Sequence, residues 1–540
     1  MASYVLTSSD GRGFLVPLSK KPVTIGRNPD NVLPLSDEMA SRYHCVIEAD
    51  ADGGFTVRDL GSRNGTRINH TKVVGSTSLK AGDTIKVGGH SFMVEVEQSI
   101  GEARAEVRSR TIDSDTSWRE ELRGIVSALP PKGEGADDPV GLVDARDKSS
   151  GALAGDGEGP QAARLLLLVA SKGRATDLHI EPKRNGFNVR MRVDGQMIGI
   201  ADLPSKVGEF MQGLIKVACN MQMSHKDAVL DGHFSARFKT KRVDYRVSFT
   251  PSVHGQKLVL RVLDPGNAPR NLSELGLPPY MFERVKKSCQ KENGLLLSCG
   301  PTGSGKTTTL YNALREIDRE TTNVITIEDP VEYQLEGVTQ IPVEENRGNT
   351  FGGLLRSVLR QDPDVILVGE IRDEETARTA MQAAITGHVV FSTVHAKDTI
   401  TSVFRLLDLK VEPYLVANAL DVVLAQRLIR MLCENCKRPV RVTPGQSTRM
   451  GKWIEGKNEV MEAVGCNACL KTGYRGRRAI YELLDFTDEL RDVILKDPSI
   501  GAMKKVIEKG LFMTLIQHGW QLAARGQTSL EEVERTAGGG

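Results

Sequence analysis

Hydrophobic and polar positions alternate in short runs over residues 1–98. Runs such as KPVTIG, HCVIEA and GFTVRDL are separated by clusters of Gly, Asn, Asp and Ser. Alternation with a period of two, interrupted by turn residues, is typical of strands that are buried on one face. The pattern therefore predicts an all-β sandwich or barrel for this part of the chain.

The pattern changes at residue 99 and again at residue 159. Residues 99–158 are rich in Gly, Asp, Glu and Ser, which predicts a flexible linker holding at most one short helix, Trp118 to Ala128. Residues 159–268 contain a helical stretch followed by alternating runs such as FNVRMRVDG, so we expect an α+β domain there.

Apolar runs and helical stretches alternate over residues 269–430. The predicted strands are GLLLSCG, NVITIED, DVILVGE and HVVFSTV. This arrangement is typical of α/β folds with a mostly parallel sheet. The rest of the chain divides into a small cysteine-containing module, residues 431–478, and a helical region, residues 479–540.

The composition argues against several classes of protein. Lys and Arg number 71, Asp and Glu number 69, and the formal net charge is +2, so no overall field concentrates nucleic acid or anionic lipid. No apolar run approaches the roughly 20 residues of a membrane-spanning helix. The first residues also lack the pattern of a signal peptide. We therefore expect a cytoplasmic protein that reaches a membrane only through partners.

Residues 300–307 read GPTGSGKT, and a further Thr follows. The spacing is that of a nucleotide-binding loop between a strand and a helix, whose glycines let the backbone close around phosphate. Backbone N–H groups and the helix dipole then face the phosphates. Lys306 reaches the β- and γ-phosphates, and Thr307 ligates Mg²⁺. The predicted ATP-binding residues of the loop are Gly300, Pro301, Thr302, Gly303, Ser304, Gly305, Lys306, Thr307 and Thr308.

Three further blocks, VITIEDPVEY, VILVGEIRD and TGHVVFSTVHA, place polar side chains at the ends of predicted strands. In α/β folds the carboxyl ends of parallel strands face the ligand. The polar residues of the three blocks are Glu328, Asp329, Glu332, Glu370, His388 and His395. The first three are expected to hold Mg²⁺ and its water shell, and Glu370 is the candidate to orient or deprotonate the attacking water.

The nucleotide loop and these blocks, in this order, resemble the bacterial ATPases of type II secretion and type IV pilus assembly. The resemblance covers residues 160–535 and implies a RecA-like core. It identifies the loop as the Walker A element, residues 328–332 as the family's aspartate box and Glu370 as its Walker B glutamate. It also implies that His395 senses the γ-phosphate at a subunit boundary. For both His388 and His395, an ordinary side chain at a strand end is the alternative.

Residues 244–263 resemble the family segment that supplies arginine fingers. Arg246 and Arg261 match the finger positions, and Arg242 is a weaker third match. An Arg delivered to the phosphates can accelerate phosphoryl transfer by roughly 10³–10⁵. Fingers that act across a boundary require an oligomer, and the resemblance implies a homo-hexameric ring. Arg192 is a candidate to close the nucleotide pocket.

Two C-x-x-C pairs, Cys433/Cys436 and Cys466/Cys469, lie in the C-terminal module. Four thiolates suit tetrahedral Zn²⁺ in a closed structural site, and four free thiols in a helical region are the alternative. The resemblance supports zinc, because family members with the same spacing bind it. Retraction motors of pili generally lack the module, so the resemblance favours secretion or pilus extension.

Short signals in residues 1–98 resemble a forkhead-associated domain, a family that recognises phosphothreonine peptides. The predicted phosphopeptide-binding residues are Arg27, Ser41, Arg42 and Asn64. The two arginines and the serine can donate charge-assisted hydrogen bonds to a phosphate. The resemblance implies that the residue matching Asn64 holds the ligand backbone and that His44 is a buried structural group. A fold used only as a docking platform is the alternative.

Together these features predict an ATP-hydrolysing motor for type II secretion or type IV pilus assembly. We expect it to sit peripherally at the inner membrane through platform proteins, and to be recruited or gated by a phosphothreonine-containing protein. A nucleic-acid or conjugation-type translocase is an alternative that the near-neutral charge disfavours. A phosphorylation-responsive scaffold with a vestigial ATPase is another, which the intact Lys306 and Glu370 disfavour.

Overall fold

The computed structural model describes residues 4–8, 15–18, 22–96 and 117–538, apart from residues 29, 36, 38, 51–53, 70, 132–134, 154, 224–226, 265 and 267. Residues 97–116, which belong mostly to the predicted linker, lie outside these ranges. By their backbone contacts the residues form two compact units, Met1–Asp115 and Thr116–Gly540.

The first unit is a β-sandwich, which confirms the interpretation of the alternating pattern. Its described strands are β1 Tyr4–Ser8, β2 Leu15–Leu18, β3 Val23–Gly26, β4 Leu33–Pro34, β5 Cys45–Ala49, β6 Phe55–Asp59, β7 Arg67–Ile68, β8 Thr71–Lys72, β9 Ser76–Leu79, β10 Thr84–Val87 and β11 His90–Val96. One sheet has the order β2-β1-β11-β10-β7-β8 and the other β4-β3-β5-β6-β9. Apolar residues from both sheets, among them Ile25, Ile47 and Ile85, fill a single core.

The second unit begins with an eight-stranded antiparallel sheet of order β13-β12-β17-β18-β19-β14-β15-β16. Its strands are β12 Gly141–Val143, β13 Ser149–Ser150, β14 Ala175–Lys183, β15 Gly186–Val193, β16 Gln196–Leu203, β17 Leu230–Arg237, β18 Arg242–Ser252 and β19 Gly255–Leu263. The helices that pack with it are α1 Ser117–Ala128, α2 Glu158–Lys172 and α3 Ser205–Ala218. The opposite face of the sheet carries polar side chains at every second strand position.

The folded region begins earlier than the polar composition of residues 99–158 predicts. The expected short helix is present as α1, but it packs into the core of the sheet. Trp118, Leu122 and Val126 lie four residues apart on one face of α1 and are at most 1% exposed. Strands β12 and β13 then extend the edge of the sheet. The expected helix is therefore confirmed, whereas β12, β13 and the packing of α1 differ from a flexible linker, because a few well-spaced apolar residues suffice to dock a polar segment onto a core.

A seven-stranded sheet of order β22-β21-β23-β24-β20-β25-β28 forms the centre of the region that carries the nucleotide loop. Its strands are β20 Gly294–Cys299, β21 Val324–Glu328, β22 Thr339–Pro342, β23 Val365–Val368, β24 Val389–Val394, β25 Leu420–Leu432 and β28 Tyr474–Asp485. Strands β20 to β25 pair in parallel, which confirms the predicted α/β fold. The helices around the sheet are α4 Pro279–Cys289, α5 Lys306–Leu314, α6 Phe351–Val358, α7 Glu374–Ile385, α8 Thr399–Asp408 and α9 Pro413–Ala419.

The C-terminal part is less separate than the predicted boundaries suggest. Strand β28 crosses the boundary drawn at residue 478 and pairs antiparallel with β25. Its buried Ile480 and Leu484 pack in the core of the central sheet, which a helical reading of residues 479–540 does not anticipate. The remaining elements are β26 Arg438–Arg441, β27 Glu459–Glu462, α10 Pro444–Met450, α11 Asp488–Lys496, α12 Ile500–Ile507, α13 Leu515–Ala524 and α14 Leu530–Ala537.

Candidate active site

The nucleotide loop connects β20 to α5 with a backbone that only glycine fits well. Gly303 and Gly305 have φ angles of +76° and +88°, in the left-handed region. A Cβ atom on Gly300 would lie 2.5 Å from Ser304 Oγ and 2.6 Å from the carbonyl oxygen of Gln426. The loop is thus closed tightly against its neighbours, and α5 begins directly behind it with its N–H groups towards the loop.

Lys306 lies folded back over the loop. Its Nζ donates to the carbonyl oxygens of Gly300 at 2.9 Å and Pro301 at 3.2 Å. Burial lowers the pKa of Lys306, while the nearby carboxylate of Glu370 acts in the opposite direction. A half-buried cation held only by carbonyl oxygens is well placed to exchange them for phosphate oxygens.

Glu370 follows β23, and His395 follows the neighbouring strand β24. The structure brings the two together: His395 Nε2 lies 3.4 Å from Glu370 Oε2, and Arg372 pairs with the other carboxylate oxygen. Arg372 also lies 3.7 Å from Asp329 Oδ2, so it connects Glu370 with the acidic block after β21. The side chain of Glu370 is 15% exposed, so it is mostly shielded from solvent but still reachable.

Glu328 differs from the expectation that it holds Mg²⁺. It is 3% exposed and its oxygens already accept hydrogen bonds, Oε1 from Thr326 and Gln340 and Oε2 from Tyr311. Burial, together with this bond, raises the pKa of Tyr311. The geometry therefore favours a structural role for Glu328, tying β21 to α5, while Asp329 and Glu332 in the same block are exposed.

Arg246 reaches the acidic block of its own chain. Its guanidinium donates to the carbonyl oxygen of Val331 at 3.0 Å and lies 4.0 Å from Glu332 Oε2. The predicted finger therefore contacts the loop after β21 within one chain. Arg242, the weaker third match, instead pairs with Asp147 at 3.0 Å and Asp244 at 3.3 Å.

A row of charged residues crosses the polar face of the eight-stranded sheet. In register, Arg246 of β18 lies opposite Arg261 of β19, which lies opposite Asp177 of β14, which lies opposite Arg192 of β15. Asp177 Oδ1 is 3.5 Å from Arg261 Nε, and Asp177 Oδ2 is 3.6 Å from Arg192 Nε. Asp177 thus pairs with two guanidinium groups, Arg261 and Arg192, while Arg246 lies beyond Arg261 in the row. Like charges placed side by side on a sheet are unfavourable, so the row is poised to accept an anion.

His388 lies away from this arrangement. It precedes β24, at the opposite end of the strand from His395, and its Nδ1 is 3.0 Å from the carbonyl oxygen of Ala383. The alternative of an ordinary strand-end side chain fits this position.

The four cysteines of the C-terminal module converge. Their sulfur atoms lie within 4.8 Å of one another, with Cys433–Cys466 and Cys436–Cys469 at 3.9 Å and Cys466–Cys469 at 3.8 Å. A tetrahedron with Zn–S bonds of about 2.3 Å has sulfur atoms about 3.8 Å apart. Backbone N–H groups of Gly465 and Gly473 donate to two of the sulfurs, as befits thiolates. The donor set and its geometry therefore fit Zn²⁺.

The loops of the first unit gather the residues that were expected to bind phosphopeptide. Arg27 and Arg42 are exposed on neighbouring loops that are joined by a hydrogen bond from Arg27 N to Ser41 O at 2.9 Å. Ser41 Oγ accepts from Arg63 N at 3.0 Å, and Asn64 Nδ2 donates to Met39 O at 2.8 Å. The loops carrying these residues are therefore tied together.

His44 is fully buried beneath these loops. Its Nδ1 accepts a hydrogen bond from the backbone N–H of Ser41 at 3.1 Å, so the ring holds the loop that carries the predicted phosphate ligands.

Gln426 is a residue of the site that the sequence reading missed. It is fully buried on β25, and its Nε2 donates to the carbonyl oxygen of Ser304 in the nucleotide loop at 2.7 Å. Its Oε1 accepts from Ser298 Oγ at 3.4 Å. The available signal was a Gln-Arg pair inside the otherwise apolar run LDVVLAQRLI, where buried polar groups require partners.

Comparison with known proteins places these features in context. Residues 160–535 match the type II/IV secretion system protein family, and residues 23–88 match the FHA domain family. The chain is 39% identical to type II secretion system protein E of Aeromonas hydrophila over 396 residues, which cover 73% of this chain and 79% of that protein. It is also 39% identical to the type IV pilus assembly ATPase PilB of Myxococcus xanthus over 373 residues, covering 68% and 66% of the two chains.

A solved structure shares the fold. The ATPase DotB of Legionella pneumophila superposes with a TM-score of 0.52 at 21% identity, covering 69% of this chain and 94% of that one. Within the described part of the chain, no helix combines the length and apolar character needed to cross a bilayer.

Proposed function

The chain belongs to the type II/IV secretion system protein family of ATPases and carries an FHA domain, and from this membership we propose that it powers type II secretion or type IV pilus assembly. The observation that carries the proposal is the convergence of Lys306, Glu370 and His395 at the carboxyl ends of neighbouring parallel strands. In this proposal, ATP hydrolysis drives the assembly of pilin or pseudopilin subunits.

Each residue of the site has a chemical task in this proposal. The loop from Gly300 to Thr308 binds the phosphates of ATP, and Lys306 neutralises the β- and γ-phosphates. Glu370 orients and deprotonates the attacking water, while His395 holds the Glu370 carboxylate and contacts the γ-phosphate. Phosphoryl transfer depends on this kind of positioning and charge neutralisation more than on covalent help.

Mg²⁺ is assigned to hard oxygen donors. The Thr307 hydroxyl and the exposed carboxylates Asp329 and Glu332 form a suitable donor set, whereas the oxygens of Glu328 are occupied by hydrogen bonds. Bound Mg²⁺ neutralises charge that develops on the phosphates.

The arginine row supports an oligomeric unit, for which we propose a homo-hexamer. The side chain of Arg261 is 62% exposed and faces away from the core of its domain, so a neighbouring subunit can meet it. Arg246 and Arg261 would then supply positive charge to the phosphates as domains move. Platform proteins of the inner membrane are the proposed docking partners.

Zn²⁺ is proposed as a structural ion of the four-cysteine cluster. A closed set of four thiolates leaves no position for a substrate, so the ion stabilises the module that follows β25.

The FHA domain is proposed to bind a phosphothreonine-containing protein that recruits or gates the motor. Arg27, Ser41 and Arg42 would hold the phosphate, and Asn64 the peptide backbone. The physical support is that exposed arginines sit on loops fixed from below by buried His44. A pull-down with matched phosphothreonine and threonine peptides tests this, using the full chain, Arg27→Ala and, as a control, Arg67→Ala on β7. Equal capture by Arg27→Ala and the native chain would favour the docking-platform alternative.

A gene replacement in the native cells tests the motor. Lys306→Ala should abolish secretion of the cognate proteins or surface pili, while Lys239→Ala, an exposed lysine in the β17–β18 turn, should leave them intact. Affinity purification of the native chain should recover platform proteins of the inner membrane. Unchanged secretion and piliation in the Lys306→Ala strain, or turnover that depends on DNA, would contradict the proposal.

A further inference from the structure

Strand β25 places an arginine, Arg427, over the start of the nucleotide loop. Strand β20, which leads into the loop, lies between β24 and β25. From β25 the guanidinium of Arg427 reaches across to the segment after β24, where Nη2 donates to the carbonyl oxygen of Lys397 at 2.5 Å. Its Nη1 donates to the carbonyl oxygen of Gln426 at 3.0 Å. The side chain therefore bridges the carboxyl end of β20, where Gly300 begins the loop.

The charge of Arg427 has no close counterpart. Among the residues that the structure describes, no carboxylate oxygen lies within 4.0 Å of its guanidinium, and its two hydrogen-bond acceptors are neutral carbonyl groups. Burial lowers the pKa of Arg427, although the carboxylates of Glu482 and Asp398 act to raise it from beyond contact distance. The positive charge of Arg427 adds to the burial that lowers the pKa of Lys306. Two half-buried cations thus share one region, and neither carboxylate that acts on Arg427 forms an ion pair with it.

A partly buried guanidinium without an anion is costly, and such a group normally pairs with one. The guanidinium carries five N–H donors, of which two are engaged here, so donors remain for a ligand. The phosphate chain of a nucleotide on the loop would supply the missing negative charge at this place. The planar donor arrangement of Arg also suits phosphate oxygens.

We infer that Arg427 is a further nucleotide-binding residue, which donates to the phosphate chain from the same chain as Lys306. The inference rests on the proposed function, since it assumes that the loop binds a nucleotide. It differs from the proposed arginine fingers, because Arg427 belongs to the central sheet and needs no second subunit. Gln426, its neighbour, positions the loop through its hydrogen bond to the carbonyl oxygen of Ser304.

Nucleotide binding to the full-length protein tests the inference directly. A fluorescent ATP analogue is titrated with Mg²⁺ into the native chain, Arg427→Ala, Arg427→Lys and Arg441→Ala. Arg441 is an exposed arginine on β26 and serves as the matched control. We expect Arg427→Ala to raise the Kd about tenfold or more, Arg427→Lys to recover most of the affinity, and the control to bind as the native chain does.

A second comparison separates charge from structure. Arg427→Gln keeps a donor for the Lys397 carbonyl but removes the charge. If Arg427 acts on the phosphates, the Arg427→Gln variant should bind nucleotide as weakly as the Arg427→Ala variant. The melting temperature of the nucleotide-free variant should stay within about 2 °C of the native value, while the increase produced by nucleotide should be smaller.

Native affinity in Arg427→Ala, or native affinity in Arg427→Gln, would overturn the inference. The Lys306→Ala variant shows whether a negative result concerns Arg427 alone or the proposed nucleotide site as a whole. Weakened binding in Lys306→Ala beside native binding in Arg427→Ala would reject only the role of Arg427. Unchanged binding in both would reject the nucleotide site itself.

Discussion

Glu370 is held between two basic side chains of its own chain. Arg372 and His395 each contact one of its carboxylate oxygens, and the side chain of Glu370 is 15% exposed. Removing its charge while keeping its shape therefore isolates its part in the chemistry. Glu328, the last residue of β21, shows the contrast: its carboxylate oxygens accept hydrogen bonds from Tyr311, Thr326 and Gln340, so it contributes to the fold.

Replacement of Glu370 by Gln should abolish most hydrolysis and spare binding. A general base contributes about 10²–10⁴ in rate, so we expect kcat to fall at least 100-fold, with the Kd for ATP within about threefold of the native value. Phosphate release and fluorescent-nucleotide titration measure the two quantities. Turnover at the native rate in Glu370→Gln would mean that another group activates the attacking water.

At the scale of elements, β25 joins the parts of the second unit. It borders β20 and β28 within the sheet, and it ends at Leu432, immediately before Cys433 of the cysteine cluster. The start of β25 is held by hydrogen bonds to Asp421, the second residue of the strand, which accepts from Arg284 at 2.6 Å, Lys291 at 2.6 Å and Ser288 at 2.7 Å. These contacts attach α4 and the segment after it to the start of β25.

Asp421 should make stability depend on pH in the acid range. Despite burial, which acts to raise it, hydrogen bonds from Arg284, Lys291 and Ser288 lower the pKa of Asp421 to about 2. An unfolded Asp has a pKa of about 3.9, so the unfolded chain binds the proton more readily. The contribution, about 2–3 kcal/mol, is fully present above about pH 4 and is lost as the pH falls through 2.

Urea unfolding of the native chain and Asp421→Asn at pH 7, 4 and 2.5 measures this difference. The gap in the free energy of unfolding should be largest at pH 7 and shrink towards pH 2.5. A gap that does not change with pH would mean that the ionisation of Asp421 is not coupled to folding.

The cysteine cluster should hold one zinc ion per chain, since four thiolates complete one tetrahedral site. Cys436→Ser should lose the ion and melt at a lower temperature, because binding of a structural metal contributes to folding. Atomic absorption and thermal melting measure both effects. Cys219→Ser, which changes a buried thiol outside the cluster, is the control and should keep its zinc. Full zinc content in Cys436→Ser would contradict the assignment.

At the scale of the whole molecule, the ATPase site and the arginine row belong to different parts of the second unit. Arg246 contacts the acidic block of its own chain, whereas Arg261 is largely exposed beside Asp177. A single chain therefore presents both a nucleotide loop and a cationic surface that another chain can use. The β-sandwich belongs to a separate compact unit, Met1–Asp115, so the proposed binding of a phosphopeptide can be tested independently of the ATPase.

Mixing two inactive variants tests whether the row acts between subunits. Lys306→Ala lacks the loop cation and Arg261→Ala lacks the proposed finger, so each alone should lose at least 100-fold in kcat. In an equimolar mixture, some interfaces combine an intact loop with an intact Arg261. We expect a measurable part of the native rate to return, and to rise with protein concentration. No recovery in mixtures shown to co-assemble would place Arg261 outside the active site.

The sequence determined the local features of this protein. Alternating and continuous apolar runs are set by neighbouring residues, so the sandwich, the parallel strands and the helix α1 could be predicted from them. Motifs with fixed spacing, the loop at residues 300–307 and the two cysteine pairs, likewise carry their chemistry in a few adjacent positions. The set of residues at the strand ends after β21, β23 and β24 followed from the rule that such ends share one edge of a sheet.

Only the tertiary structure decided features that depend on distant partners. It engaged Glu328 with Tyr311 and Gln340, aligned Arg261 with Asp177, and carried β28 into the central sheet. It also brought Gln426 into contact with a loop more than a hundred residues earlier in the chain, with Arg427 beside it. Hydrogen bonds and ion pairs act over a few ångströms in space, so the side chains that complete the site emerge only when the strands carrying them are packed side by side.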